Sequence, residues 1–226
     1  MAYHILITAG GTREYIDPVR FISNDSSGQM GYALAQAALA AGHEVTLITA
    51  PCHLPAPAQA HVVSVTSAQD MFEAVQNHYD LCDCVVMAAA VSDYTLDTQS
   101  NTKLKKSEHP LTLTLIPTRD ILQWTGEHKT HGSRPKIIVG FALEDHDVLA
   151  RAEAKLARKH LDMVIANTPE AIGSTSSTLF VKIPEKAWVE LPRADKATNA
   201  HLIIKHIESL HSSDGNQFQI GQFTIR

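Results

Sequence analysis

Six short apolar runs punctuate the chain: Tyr3–Thr8, Glu44–Thr49, Cys84–Val91, Lys136–Leu143, Asp162–Ala166 and Thr178–Ile183. Their apolar positions are continuous rather than alternating, the pattern of strands covered on both faces. Between them, Gln29–Ala41, Ala68–His78, Asp147–His160 and Lys196–Leu210 carry apolar residues at helical spacing. Gly42 follows the first of these stretches and suits the end of a helix. Alternating strands and helices predict an α/β fold: a Rossmann-like, three-layer, doubly wound and mostly parallel sheet, with right-handed crossovers and helices on both faces.

Two segments interrupt that rhythm. Thr8–Gly28 directly follows the first strand and holds Pro18 and several Gly, Ser and Asn residues. Loops longer than about 12–15 residues without structure of their own are usually functional or disordered. Asp17 before Pro18 predicts one helical turn inside this loop. Ser92–Pro110 is the second interruption, polar and lysine-bearing, with a strand expected over Leu111–Ile116. Ser212–Arg226 opens with a turn-like SSDGN and then alternates Phe218, Ile220, Phe223 and Ile225, as an edge strand or an appended tail would. The expected organisation is one domain over residues 1–211 followed by a tail over 212–226.

The chain has 226 residues, 44% hydrophobic and 19% charged, enough to bury a core and unlike a disordered sequence. A net charge of −5 gives no support to nucleic-acid binding, which needs basic excess to displace counterions. No apolar run approaches the ~20 residues that span a bilayer. The N-terminal MAYHILITAGG lacks a basic stretch followed by a cleavage site, and Cys52, Cys82 and Cys84 are too few for a disulfide framework. A reduced, soluble, cytoplasmic protein is expected.

Several clusters carry candidate chemistry. In Ala9–Glu14 (AGGTRE), Gly10, Gly11 and Thr12 follow the first strand, where glycines let a backbone approach a phosphate; a tight structural turn is the plainer reading. Adjacent glycines do not make the dinucleotide G-x-G-x-x-G fingerprint, and no G-K-[ST] of a P-loop follows. Ser26, Ser27 and Gly28 precede a predicted helix and can form an anion site, although Ser27 alone would serve as an N-cap. Arg20 and Asn24 stand beside them, a cation and a neutral donor suited to carboxylate or phosphate. Asp93, in Ala88–Tyr94 at a strand end, can accept from a ligand, hold a metal or simply close a turn. Lys103–Lys106 (KLKK) reads as a mobile cationic loop over a triphosphate or as solvated surface. Lys155 and Lys159 share one helix face with Arg158 near, again either functional or solvated. Cys82-x-Cys84 reads as buried small side chains rather than zinc ligands. The thirteen histidines form no metal-ligand pair, and no Gly-x-Ser-x-Gly elbow is present.

Taken in order, TAGGTREYIDPVRFISNDSSGQMG, AAAVSDY, KLKK, RDIL (Arg119–Leu122), VGFALE (Val139–Glu144) and IANTPEAIGS (Ile165–Ser174) closely resemble phosphopantothenate–cysteine ligase, over residues 3 to about 211. This is the phosphopantothenoylcysteine synthetase of coenzyme A biosynthesis, often the C-terminal half of a bifunctional flavoprotein. The resemblance implies a homodimer that activates the carboxylate of 4′-phosphopantothenate with a nucleoside triphosphate and Mg²⁺. An acyl-nucleotidyl intermediate and pyrophosphate form, and the amine of L-cysteine then displaces the nucleoside monophosphate. Bacterial members typically use CTP and eukaryotic ones ATP; CTP is the expectation here ahead of ATP. By motif match, Asn24 stabilises the intermediate, Arg20 is a nearby functional residue, and Lys103 is the catalytic lysine of a flap. Ala90 and Asp93 match the strand end that meets the nucleotide, and Lys155 and Lys159 match nucleotide-contacting lysines. Metal ligands are not assigned.

The sequence departs from that pattern in places. Asp25 stands where the family often has His, and Arg119 where its P-D-I-L has proline. Met1 lies almost on the first strand, so no flavin and a separate decarboxylase are expected. An NAD(P)-dependent oxidoreductase is the competing enzyme reading; the glycine spacing and the acid-free strand end Ile48-Thr49-Ala50 disfavour it. A non-catalytic nucleotide-binding subunit is disfavoured by Asn24 and Lys103.

Overall fold

The computed structural model describes residues 2–129, 134–135, 137–168, 174 and 176–212. Six parallel strands form most of one sheet: β1 (His4–Ala9), β4 (Glu44–Thr49), β5 (His61–Ser64), β6 (Cys84–Met87), β9 (Ile137–Leu143) and β10 (Met163–Asn167). Two antiparallel strands, β11 (Ser176–Lys182) and β12 (Val189–Asp195), extend it to the order β12-β11-β10-β9-β6-β1-β4-β5. Register places Ile5 between Val45 and Cys84, at the centre of the sheet.

Why the strands read as unbroken apolar runs is visible in the layering. On one face, Ile5, Ile7, Leu47, Val86, Val139 and Ile165 pack under α1 (Gln29–Ala40) and α5 (Lys196–Ser212). On the other, Leu6, Ile48, Val85, Ile138 and Val164 pack under α2 (Ala68–Tyr79), α3 (Ile121–Glu127) and α4 (Val148–Arg158). Successive side chains of a strand point to opposite faces, so a sheet covered twice needs apolar residues at both. The Rossmann-like, doubly wound expectation is met. Helix α1 lies unusually close to β1, because Gly31 leaves no side chain: a Cβ there would come within 2.5 Å of the Ala9 Cβ.

The structure corrects several local expectations. The Thr8–Gly28 segment holds a hairpin, β2 (Arg13–Tyr15) paired with β3 (Phe21–Ser23). Asp17 starts no helical turn; its Oδ1 accepts the N–H groups of Val19 and Arg20, 2.9 Å each, closing the hairpin turn instead. The run expected as strand over Cys84–Val91 leaves the ladder after Met87, since Thr8 Oγ1 takes the Ala89 N–H at 3.1 Å and Asn24 takes the next carbonyls. The strand expected over Leu111–Ile116 falls instead on β8 (Leu115–Pro117), which pairs with β7 (Tyr94–Leu96). Ser27 is not the cap of α1; that position is Gly28 at φ +74°, with no side-chain hydrogen bond. The β11 side chains alternate between buried and half-buried, because this strand lies towards the edge of the sheet. Of residues 212–226, expected as tail or edge strand, Ser212 ends α5 and 213–226 lie outside the described residues, as do residues 169–173 of the IANTPEAIGS motif.

Candidate functional site

Three loops meet where the carboxyl ends of β1 and β6 lie side by side, the edge at which sheets of this kind form a binding crevice. At the first, Gly10 adopts φ +81°, and a Cβ on it would strike the Ala50 carbonyl oxygen at 2.8 Å, so only glycine fits. Its own carbonyl accepts the Ala90 N–H at 2.8 Å, and Thr12 N–H donates back to the Ala90 carbonyl at 3.3 Å. Gly11 is thereby bridged to Ala90. A Cβ on Gly11 would fall 2.9 Å from the Asn24 carbonyl oxygen, so the second loop sits directly against the first. The Asn24 amide donates to the carbonyls of Ala90 at 3.2 Å and Val91 at 3.1 Å, joining the second loop to the third.

Beneath them lies a buried hydroxyl pair. Thr12 Oγ1 accepts the Ser92 N–H at 2.9 Å and donates to Ser92 Oγ at 3.2 Å. Thr118 Oγ1 donates to the Ser92 carbonyl at 2.6 Å, which ties in the strand pair β7–β8. Ser26 Oγ accepts the Gly28 N–H at 3.4 Å, immediately before α1. Gly10, Gly11, Thr12, Asn24, Ser26, Gly28 and Ala90 are therefore one contiguous unit, with Ser27, Asp25 and Asp93 exposed beside their neighbours in sequence.

The cations are placed differently from the sequence expectation. Arg20 does not stand free for a ligand: its guanidinium pairs with the Asp17 carboxylate and donates from Nη2 to the Leu104 carbonyl at 2.7 Å. Lys103, Lys105 and Lys106 are exposed on either side of that anchored leucine. Neither Lys155 nor Lys159 lies on a solvated face. Lys155 donates to the Phe141 carbonyl at 2.6 Å near the carboxyl end of β9. Burial lowers its pKa, Lys159 lowers it further, and Glu144, Asp120 and Asp93 act in the opposite direction. Lys159 is 8% exposed and pairs with Asp120, 2.6 Å from Oδ2. Helical side chains lean towards the helix N-terminus, which carries both ammonium groups up α4 towards the crevice end of the sheet. Burial raises the Asp120 pKa, but the hydrogen bonds from Lys159 and the Gln123 N–H overcome this and lower it.

Sequence reasoning missed Asp17, Glu14, Ser92, Thr118 and Asp120 as parts of this assembly. Glu14 is 4% exposed, and its two oxygens accept from the Ala68 N–H at 2.9 Å and the Thr95 hydroxyl at 2.7 Å. Only the spacing of Asp17 to Arg20 carried a signal, that of a turn-closing acid with a basic partner. Arg119, where the family pattern has proline, lays its guanidinium over the Phe72 ring at 5.0 Å. Cys82 and Cys84 are buried and free, and burial pushes the Cys82 thiol up to about 12. A groove of about 360 Å³ lined by Leu156, His160, Leu161 and Lys182 lies by the amino end of β10, away from the crevice. Among the described residues no helix is long and apolar enough to cross a membrane.

Comparison with known proteins agrees with the architecture. Residues 1–210 match the model for the DNA/pantothenate metabolism flavoprotein C-terminal domain. The coenzyme A biosynthesis bifunctional protein CoaBC of Bacillus subtilis (strain 168) is 42% identical over 221 residues, 95% of this chain and 53% of that protein. CoaBC of Vibrio vulnificus (strain CMCP6) is 43% identical over 214 residues, 91% of this chain and 52% of the other. The chain thus spans about half the length of these curated relatives. A crystal structure of the C-terminal domain of CoaBC superposes with a TM-score of 0.80 at 37% identity, covering 93% of this chain and 96% of that one. A Cab2 mutant in complex with phosphopantothenate-cysteine shares the fold, with a TM-score of 0.77 at 19% identity over 93% of this chain and 86% of that one. The chain belongs to the family of the DNA/pantothenate metabolism flavoprotein C-terminal domain, as a homologue of the C-terminal domain of CoaBC.

Proposed function

We propose that this protein is a phosphopantothenate–cysteine ligase, joining 4′-phosphopantothenate to L-cysteine at the expense of a nucleoside triphosphate. One observation carries the reading: Gly11, Asn24 and Ala90, from two family motifs, interlock at the carboxyl edge of a parallel sheet, where such folds bind nucleotides.

In this mechanism the triphosphate approaches over Gly10, Gly11 and Thr12. The Ser26–Ser27–Gly28 turn and the first N–H groups of α1 receive phosphate, since Gly28 caps the helix without a side chain. The carboxylate of 4′-phosphopantothenate attacks the α-phosphorus, and pyrophosphate leaves. Lys103 from its flap and Lys155 from α4 offset the charge gathered there, with Lys159 held behind them on Asp120. Ala90 and Asp93 border the base and ribose. Asn24, whose amide N–H groups hold the Ala90 and Val91 carbonyls, supports the acyl-nucleotidyl intermediate by fixing the loop beside it while adding no charge of its own. The cysteine amine then attacks the acyl carbon, gives up a proton, and releases the nucleoside monophosphate. No protein nucleophile is needed.

Mg²⁺ fits as a phosphate-borne ion: it is usually held by substrate phosphates and one or two carboxylates, and Asp93 is an exposed carboxylate at this edge. It would neutralise triphosphate charge. CTP is the expected nucleotide ahead of ATP, no flavin is required, and residues 1–211 act as one cytoplasmic ligase domain. The apolar side chains of Phe21, Ile22, Leu115 and Ile116 are 37–42% exposed on the two strand pairs, a surface that supports a homodimer.

The test is pyrophosphate release by purified protein with 4′-phosphopantothenate and Mg²⁺, comparing CTP with ATP, with and without cysteine. Release that requires 4′-phosphopantothenate is expected before cysteine is added, with product only after. Silence with both nucleotides from folded protein would overturn the assignment.

A further inference from the structure

The loop carrying Lys103 is anchored on a buried carboxylate. Asp17 is fully buried and takes five hydrogen bonds. Two of them, from the Val19 and Arg20 N–H groups to Oδ1, suffice to close the hairpin turn. The others go to Oδ2, from the Arg20 guanidinium and from the Leu104 N–H at 3.1 Å, a residue 87 positions away. Arg20 Nη2 in turn donates to the Leu104 carbonyl at 2.7 Å. Leu104, between Lys103 and Lys105, therefore has both backbone polar groups held by the Asp17–Arg20 pair. A second strut lies nearby, where Ser100 N–H donates to the Ile16 carbonyl at 3.0 Å.

We propose that Asp17 is the positioning residue of the lysine flap: with Arg20 it clamps the Leu104 backbone and so fixes where the adjoining Lys103 stands. Arg20 then acts through the flap and not as an independent anion site, because its charge is already answered by Asp17 and its remaining reach is spent on a main-chain carbonyl. The inference deepens the ligase reading and rests on it for the role of Lys103. The clamp itself is a property of the fold that can be measured without activity.

The decisive variant is Asp17→Asn. An amide of the same shape cannot accept at both positions, so one side turns an NH₂ towards donors that need an acceptor. Two readouts are needed. In the first, amide hydrogen exchange at Leu104 and tryptic cleavage after Lys103 should rise at least ~10-fold in the variant, as a local opening, while exchange in β1 and β6 stays at the wild-type rate. Arg20→Gln, which leaves the Oδ1 turn bonds in place, should loosen the same bond and serves if Asp17→Asn folds poorly. In the second, kcat should fall ~10- to 100-fold, the scale of misplacing a catalytic group by about an ångström. In a Lys103→Gln background the same substitution should cost no more than about twofold, because residues acting as a unit are not additive.

Unchanged exchange and cleavage at Leu104 would overturn the clamp even in a fully active enzyme. Losses that multiply in the double variant would overturn the positioning role and leave Asp17 as a general stabiliser. A wild-type protein that releases no pyrophosphate removes the ligase assignment, and is told apart from failure of the clamp by the exchange result.

Discussion

The Asn24 side-chain amide donates to the Ala90 carbonyl oxygen at 3.2 Å, joining the loop before α1 to the loop that leaves β6. With its second contact to Val91 at 3.1 Å, this one amide determines how two of the three crevice loops stand relative to each other. Asn24→Asp would set a carboxylate against two carbonyl oxygens with no proton between them. A stability loss of about 0.5–1.5 kcal/mol is expected from the missing bonds. Product formation should fall at least ~100-fold while 4′-phosphopantothenate-dependent pyrophosphate release continues, because a negative charge opposes the acyl-nucleotidyl phosphate. Parallel assays of pyrophosphate and of the cysteine adduct check this, and undiminished product would remove the role given to Asn24.

Lys103 is exposed, so its side chain contributes little to folding. Lys103→Gln should leave stability within about 0.5 kcal/mol of wild type and lower kcat by at least ~100-fold, the scale of losing one charge contact in a transition state. Steady-state kinetics beside a urea melt separate the two effects. An unaltered kcat would make the KLKK loop ordinary surface.

Lys159 behaves as a structural cation in this state, 2.6 Å from Asp120. Its side chain is 10% exposed and that of Asp120 is 51% exposed, so the pair lies between a buried and a surface ion pair. Lys159→Met should cost about 1–3 kcal/mol. Asp120→Asn keeps a side chain able to cap α3 and loses the charge, and the double variant should be less destabilised than the sum of the two. Strict additivity in urea unfolding would mean that the pair contributes nothing.

Lys155 gives a pH signature. Burial, with help from Lys159, lowers its pKa below the ordinary 10.5, so between those values the free protein holds it partly uncharged. The unfolded chain binds more protons across that window, and this group's contribution to stability therefore rises with pH up to 10.5. A bound triphosphate favours the charged form, so nucleotide binding should take up protons at alkaline pH and weaken as pH climbs through the window. Calorimetric titration in two buffers of different ionisation enthalpy measures the uptake, and Lys155→Met should abolish it. Equal heats in both buffers with the wild-type protein would show that Lys155 does not face the nucleotide.

The layered sheet was legible because burial on both faces demands unbroken apolar runs, and β4, for example, begins and ends where its run does. Helix α1 was legible from its alanine-rich stretch and the Gly42 that follows it, which takes φ +84°. Short strands such as β2, β3 and β5 were not: three or four residues carry too little of a period, and their partners decide whether they pair.

The chemistry divided along the same line. Residue types and their order in local motifs placed Gly10, Gly11, Asn24, Ala90 and Lys103 as candidates, because phosphate chemistry restricts which side chains and turns can serve. The state of each group depended on residues remote in the chain. Arg20 is committed through Leu104, 84 positions on, and Lys159 through Asp120, 39 positions back. A charge in sequence is only an available charge; whether it is free, buried or already paired depends on what folding brings within hydrogen-bond reach, and no local pattern encodes that distance.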